Sequence, residues 1–287
     1  MQLASRFAPR SPVLRADHPL SDDQIRTVAP SIFADTPHES RSERYSYIPT
    51  AAVLTELRRE GFQPFMVCQT RVRHEDRRDY TKHMLRLRHA SQINGAEANE
   101  IILLNSHDGT SSYQMLAGMF RFVCQNGLVC GDTFADVRVP HKGNVTDHVI
   151  EGAYEVLHGF ERVQDSRDAM RVITLDDGEA EVFARSALTL KYDESGKALP
   201  ITETQILRPR RFDDNRADLW SVFNRVQENL VKGGLTGRAA NGRQQRTRPV
   251  QGIDQNVRLN RALWLLADGL RLVGGDDDLR VEAEGIA

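Results

Sequence analysis

EIILLNSHDGTSSYQMLAGMFRFVCQNGLVCGD, residues 100–132, is the most apolar part of an otherwise polar chain, and its pattern decides the fold class. Ile101–Leu104 is a short, wholly apolar run of the kind a buried strand requires. Asn105–Ser112 gathers turn formers and hydroxyls, so the chain must reverse or cross over there. Apolar character returns from Tyr113 to Cys130, with Phe120, Phe122 and Cys124 on one strand parity. Asn126-Gly127 interrupts that run as a type I′ hairpin turn would.

Toward the N-terminus, two more strands precede this stretch. In residues 63–73 alternation places Phe65, Val67, Gln69, Arg71 and Arg73 on one face and Met66, Cys68, Thr70 and Val72 on the other. In residues 82–90 Leu85 and Leu87 share one face, with Arg86 and Arg88 opposite. Paired antiparallel, these strands would show one apolar face to a helix and one arginine-studded face to solvent. A helix starts near Thr50, a suitable N-cap, carries Val53, Leu54 and Leu57 inward, and stops at Gly61. Residues 1–45, rich in Ser, Pro, Asp and Arg, read as an extended arm.

Toward the C-terminus the period changes to helical. Val149, Ile150, Ala153, Val156, Leu157 and Phe160 form one stripe within Val145–Arg171, and a second helix is expected over Asp177–Thr189. KYDESGKALP carries turn signals and sets an expected boundary near residue 195. Asp218 is a suitable N-cap for a helix through Trp220, Phe223 and Val226 that ends at Gly233-Gly234. Residues 233–249 hold four arginines, four glycines and no acid, too polar to bury a core, which predicts a flexible basic loop. A final amphipathic helix is expected over Gln255–Leu272. The resulting expectation is an α+β protein with a mostly antiparallel sheet over residues 62–140 and helices on one of its faces. Its parts are an arm (1–45), an α+β core (46–195) and a helical C-terminal region (196–287).

An apolar fraction of 40% with 27% charged residues is ordinary soluble composition for a 287-residue chain. No apolar run approaches the ~20 residues of a membrane span, and the N-terminus lacks a signal peptide's apolar core. Three cysteines, Cys68, Cys124 and Cys130, sit in apolar runs, which favours buried reduced thiols and a cytoplasmic setting. The net charge of −2 hides an asymmetry: Arg208–Arg261 carries twelve Arg and Lys against five Asp and Glu. A local excess of that kind suits a polyanion surface or a solvated face balanced elsewhere in the fold.

Three sets of residues carry functional potential. Arg71, Arg73, Arg86 and Arg88 at period-two spacing would form a row whose guanidinium forks match phosphate oxygens; the alternative is an exposed sheet face. His107 and Asp108, beside Ser111 and Ser112, suggest a catalytic loop, although turn chemistry explains the same residues. Arg238, Arg243, Arg246 and Arg248, on a mobile tether, would wrap a nucleic-acid backbone; the alternative is an ordinary surface loop. Tyr80 and Tyr113 are candidates to stack a base. The chain contains no GxSxG elbow, HExxH, P-loop or Rossmann fingerprint, so no cofactor is expected.

Four segments carry a family resemblance: APSIFADTPHESRSERYSYIPT (29–50), YTKHMLRLRHA (80–90), NSHDGTSSYQMLAGMFRFVCQNGL (105–128) and RRFDDNRADLWSVFNRVQENLVKGG (210–234). The chain resembles the DUF932 family, phage- and plasmid-related proteins. That resemblance implies work on incoming or recombining DNA and transfers no catalytic residue to this sequence. The expected function is therefore non-enzymatic DNA binding in a mobile genetic element, with single-strand binding or annealing as its specific forms and a homo-oligomer as one state. Two alternatives come from other classes. A metal-dependent nuclease would join His107 and Asp108 to Asp132 or Asp213. An antirestriction-type factor would bind a host protein instead.

Overall fold

The computed structural model describes residues 12–41, 45, 47–72, 75–94, 97–122, 126–130, 137–138, 145–192, 199–238 and 241–284. In chain order the strands are β1 (Val13–Arg15), β2 (Phe62–Gln69), β3 (His83–His89), β4 (Ile93–Asn94), β5 (Glu97–Asn105), β6 (Gln114–Arg121), β7 (Asn126–Val129), β8 (Val137–Arg138), β9 (Thr236–Arg238) and β10 (Gln244–Arg246). The α-helices are α1 (Asp22–Val28), α2 (Thr50–Arg59), α3 (Val145–Val172), α4 (Asp177–Tyr192), α5 (Glu203–Leu207), α6 (Leu219–Lys232) and α7 (Ile253–Glu284). The fold class is α+β, as the sequence predicts. Two compact units divide the chain: residues 1–123, 133–158 and 251–253 in the first, residues 124–132, 159–250 and 254–287 in the second.

The first unit is built on an antiparallel sheet in which β1, β2, β3, β5 and β6 follow one another. An inner strand, β5, flanked by β3 and β6, is the EIILL run extended at both ends, and all nine of its residues are buried. Both faces of the sheet are covered. On one face Thr50, in the first turn of α2, meets His83 Nε2 at 3.0 Å and accepts from Asn105 Nδ2 at 2.9 Å. Thr50 is therefore inside the helix, with Pro49 at the cap position, because its hydroxyl is committed to the sheet. The N-terminal part of α3 reaches the same face through Gly152, where a Cβ would stand 2.6 Å from Met115 and Val137 side chains. On the other face Met66, Cys68, Met84, Arg86, Arg88, Glu100, Ile102 and Leu116 are buried together.

Several local expectations match. Gly61 follows α2 with φ 90°, a conformation that favours glycine. Cys68 and Cys130 are buried thiols, and burial pushes Cys68 up to about 12. Others differ. Asn126-Gly127 lies inside β7, so the chain does not reverse at that dipeptide. The expected arm supplies an edge strand instead: Val13 pairs with Cys68 and Arg15 with Met66, which ties residues 13–15 to β2 by backbone hydrogen bonds. Among the described residues no helix is long and apolar enough to cross a membrane.

The second unit is helical. Trp220 and Phe223 of α6 meet Trp264 of α7 edge-on, at ring separations of 6.4 and 6.1 Å, and all three are buried. A buried amide pair, Gln227 Nε2 to Asn260 Oδ1 at 2.5 Å, joins the same two helices and pairs polar groups inside the core. Asp218 caps α6 as the sequence predicts, accepting from Ser221 N and Ser221 Oγ at 2.9 Å each. Replacing it by Ala removes that acceptor and should lower stability by about 1 kcal/mol in urea titration, while Asp218→Asn should retain most of it.

Candidate nucleic-acid interface

Within residues 233–249, where the sequence predicts a flexible basic loop, β9 and β10 pair as a β-hairpin; residues 239 and 240 lie outside the described residues. Helix α6 ends at Gly233, whose φ of 60° turns the chain, and Gly234, at φ 82°, sets the direction of β9. Strands β9 and β10 pair antiparallel, with Arg238 opposite Gln244 and Arg246 opposite Thr236. Below them Leu235 N donates to Thr247 Oγ1 at 3.0 Å, and Thr247 N donates back to Leu235 O at 2.8 Å. The hairpin is held by contacts distant in sequence: Arg238 N donates to Pro200 O at 3.0 Å, and Gln205 Nε2 donates to Thr236 O at 2.7 Å. Gly237 is required at that seam, since a Cβ there would lie 1.7 Å from Pro200 O. Backbone hydrogen bonds to an ordered neighbour order a segment whose composition alone cannot.

Arg238, Arg243, Arg246 and Arg248 are all exposed. Arg246 Nε donates to Gly234 O at 3.1 Å and Arg238 Nη1 reaches Gly242 O at 3.5 Å. Among the described residues none of the four is paired with a carboxylate. Neighbouring arginines behave differently. Arg211 donates to both oxygens of Glu228 and to Asp214 Oδ2, and Lys232 Nζ donates to Glu228 at 2.8 Å. Burial alone would raise the Glu228 carboxyl, but the hydrogen bonds from Arg211 and Lys232 outweigh it and hold it below its usual value. Arg210 Nη2 donates to Gly233 O and its Nε to Asn229 Oδ1, both at 2.7 Å. Arg210 and Arg211 are thus structural cations, and the four on the hairpin are left to solvent.

The predicted arginine row on the sheet is not an exposed face. Arg86 and Arg88 are each 2% exposed, and both bind Glu100, which is fully buried. Arg86 Nη1 donates to Glu100 Oε2 at 3.0 Å and Arg88 Nε to Glu100 Oε1 at 2.9 Å. The Arg88 guanidinium also lies over the rings of Phe65 and Phe120, at 4.4 and 4.3 Å. Charge pairing across strands, with aromatic stacking, explains why the arginine parity turns inward. Arg71 is exposed but follows the end of β2, and Arg73 lies outside the described residues. Tyr113 is fully buried in the core, and Tyr80 is half-buried with its ring 5.1 Å from that of His38, so Tyr113 is not placed to stack a base.

The loop after β5 carries turn chemistry. Asp108 Oδ1 accepts from Thr110 N at 3.0 Å and from Thr110 Oγ1 at 2.6 Å, and Ser111 N donates to Ser106 Oγ at 2.9 Å. His107 points inward rather than lying at the loop edge, with its ring 4.9 Å from Tyr47 and 5.2 Å from His83. Of the carboxylates a nuclease site would add, Asp132 and the side chain of Asp213 lie outside the described residues. No three His, Cys, Asp or Glu converge on one point among the described residues.

A family model described as "Domain of unknown function (DUF932)" matches residues 37–264. The chain belongs to the DUF932 family. Two relatives from Escherichia coli (strain K12), "UPF0380 protein YfjQ" and "UPF0380 protein YafZ", are 58% and 57% identical to it. Each alignment runs over 269 residues, 94% of this chain and 97% of the relative. No solved structure matches it. In this DUF932 chain the matched span takes in the Glu100 cluster and the whole hairpin, and leaves out β1 and α1.

One exposed residue was not singled out by its sequence pattern. Phe212 is 91% exposed, on the 3-10 turn between Arg211 and Asp214. The signal was present: RRFDD places a lone aromatic among charges, ahead of the Asp218 cap and outside the α6 apolar stripe.

Proposed function

We propose that this DUF932 protein binds DNA through the phosphate backbone, by way of the hairpin β9–β10, as a binding protein rather than an enzyme. The reading is supported by one observation above all: four exposed guanidinium groups on a single anchored hairpin have no carboxylate partner among the described residues. Cations that the fold does not neutralise can replace the counterions condensed along a polyanion, and the release of those counterions is favourable in entropy. Arg also suits the oxygen geometry of phosphate better than Lys does, and all four positions are Arg. Arg238 and Arg246 lie on the same face of the hairpin, opposite the face on which Gly237 meets Pro200. That arrangement suits contact with successive phosphates along a strand. Work in a mobile genetic element, which the family resemblance implied, is the setting proposed for it.

A fluorescence-anisotropy titration of a labelled oligonucleotide across a salt series tests this. Changing Arg238, Arg243, Arg246 and Arg248 together to Ala should flatten the slope of log affinity against log salt by about 3, since each phosphate contact contributes ~0.7–0.9. These side chains are exposed, so circular dichroism and the thermal midpoint should stay at wild-type values. A wild-type slope in the folded quadruple variant would remove the hairpin from the interface.

A further inference from the structure

Phe212, at 91%, is the most exposed large apolar side chain described. Burying a phenyl ring is favourable, so a ring left in water gives up that gain unless something else covers it. Its exposure is not the fraying of a loose segment. Asn215 N donates to Phe212 O at 3.0 Å and Asp214 N to Arg211 O at 3.3 Å, which closes the 3-10 turn beneath the ring. Arg211 on one side is fixed by Asp214 and Glu228 together. The ring is therefore presented on a rigid mount.

The surroundings are cationic and continuous with the hairpin. Arg208, Arg210 and Arg216 are all exposed, with Arg216 paired to Asp218 at 3.2 Å and Arg210 held by Asn229 and Gly233. Arg210, two residues from Phe212, ends on Gly233 O, the residue from which the hairpin departs. The next carbonyl, Gly234 O, accepts from Arg246. The side chains of Arg210 and Arg246 thus rest on adjacent carbonyls at the hairpin root, and they link the turn bearing Phe212 to the phosphate-binding cations. An apolar ring set between charged residues in the sequence, Arg210 and Arg211 before it and Asp214 and Arg216 after it, is a poor match for an apolar protein surface, which would have to desolvate those charges. It matches a ligand that carries an aromatic face and an anionic backbone together.

We propose that Phe212 is a stacking platform for an unpaired base, so that the nucleic acid this protein takes is single-stranded. The inference rests on the hairpin reading above. Bases in a duplex already stack on each other and offer no free face, whereas an unpaired base can lay its π-surface on the ring while its phosphates lie along the hairpin. Stacking is tolerant of base identity, so little sequence preference is expected.

The test compares four proteins, the wild type, Phe212→Ala, Phe212→Leu and Phe212→Trp, on a single-stranded oligonucleotide, the same strand made entirely of abasic sites, and the duplex. On the normal single strand Phe212→Ala and Phe212→Leu should each bind roughly tenfold or more weakly, and Phe212→Trp should bind at least as tightly as the wild type. On the abasic strand and the duplex all four should be alike, with an unchanged salt slope. Equal affinity of Phe212→Ala and wild type for the normal strand overturns the inference, as does rescue by Leu or an equal loss on the abasic strand. The two readings fail separately. A quadruple arginine variant with a wild-type salt slope defeats the hairpin, whereas an intact slope with no base-dependent loss defeats only the stacking role.

Discussion

Glu100→Gln should lower the stability of this protein by about 3–5 kcal/mol, the usual loss when one partner of a buried ion pair is removed. Glu100 is fully buried on the inner strand β5 and receives Arg86 Nη1 at 3.0 Å and Arg88 Nε at 2.9 Å. Glutamine keeps the volume but loses the charge, and its amide nitrogen would point a donor at a guanidinium that can only donate. Two buried cations would then lack the anion that faces them. Removing one charge of the cluster is therefore much worse than replacing the cluster. Arg86→Met, Arg88→Leu and Glu100→Leu in one chain should regain most of the lost stability, because the two buried guanidinium groups are removed together with the carboxylate that they face. Urea titration at a constant slope measures both effects. A Glu100→Gln midpoint equal to that of the wild type would show that the pair does not hold the sheet.

Mild acid should destabilise the protein through His83. This imidazole is buried on the helix-covered face, with Nδ1 2.9 Å from Ser31 Oγ and Nε2 3.0 Å from Thr50 Oγ1. Burial, and next the nearby His107, lower it from 6.5 to about 3. In the unfolded chain the group takes up its proton near pH 6.5, while in the folded chain it stays neutral down to about pH 3. The unfolded state therefore binds more protons throughout that window. The contribution of a neutral His83 is fully present above pH 6.5 and is lost as the pH falls toward 3, at about 1.4 kcal/mol per pH unit. Between pH 7 and pH 5, before most carboxylates titrate, the loss should be about 2 kcal/mol. His83→Gln keeps a polar group for Ser31 and Thr50 and removes the titration, so the difference in stability between pH 7 and pH 5 should shrink by that amount. An unchanged pH dependence in the variant would rule His83 out as its source.

The helices and the central strands were legible because their signals are local. The α3 stripe from Val149 to Phe160 and the α4 stripe around Phe183 and Leu188 need only the 3.6-residue period, and both helices are present. Asp218 and Gly233 mark the two ends of α6 through the hydrogen-bonding and conformational preferences of single residues. The fate of Arg86 and Arg88 was not legible in that way. Period two correctly separates them from Leu85 and Leu87, but says nothing about which face meets water, and arginine is usually taken to mark the wet one. Glu100 reverses that choice from the neighbouring strand, after the chain has crossed over between β3 and β5. Its carboxylate sits directly before the Ile101–Leu104 run, where a charge next to a buried strand was the available clue.

The hairpin shows the same limit from the other side. Four glycines and four arginines without an acid describe a segment unable to order itself, and the order comes from Pro200 O and Gln205. The exposed arginines were identifiable from composition. Their lack of a carboxylate partner among the described residues, and the rigid mount of Phe212 near the hairpin root, depend on where Glu228, Asp214 and Gly233 come to lie.

The amino-acid sequence by itself determined the α+β class, the helices α2, α3, α4, α6 and α7, the apolar strand pattern and a concentration of positive charge between residues 208 and 261. Those follow from periodicity, caps and net charge, which act over a few residues or simply add. Only the tertiary structure decided which arginines are neutralised inside the sheet and which stand in solvent. Ion pairing acts over a few ångströms in space with no regard to separation along the chain, and burial decides whether a charge must find its partner within the protein or can keep it in water.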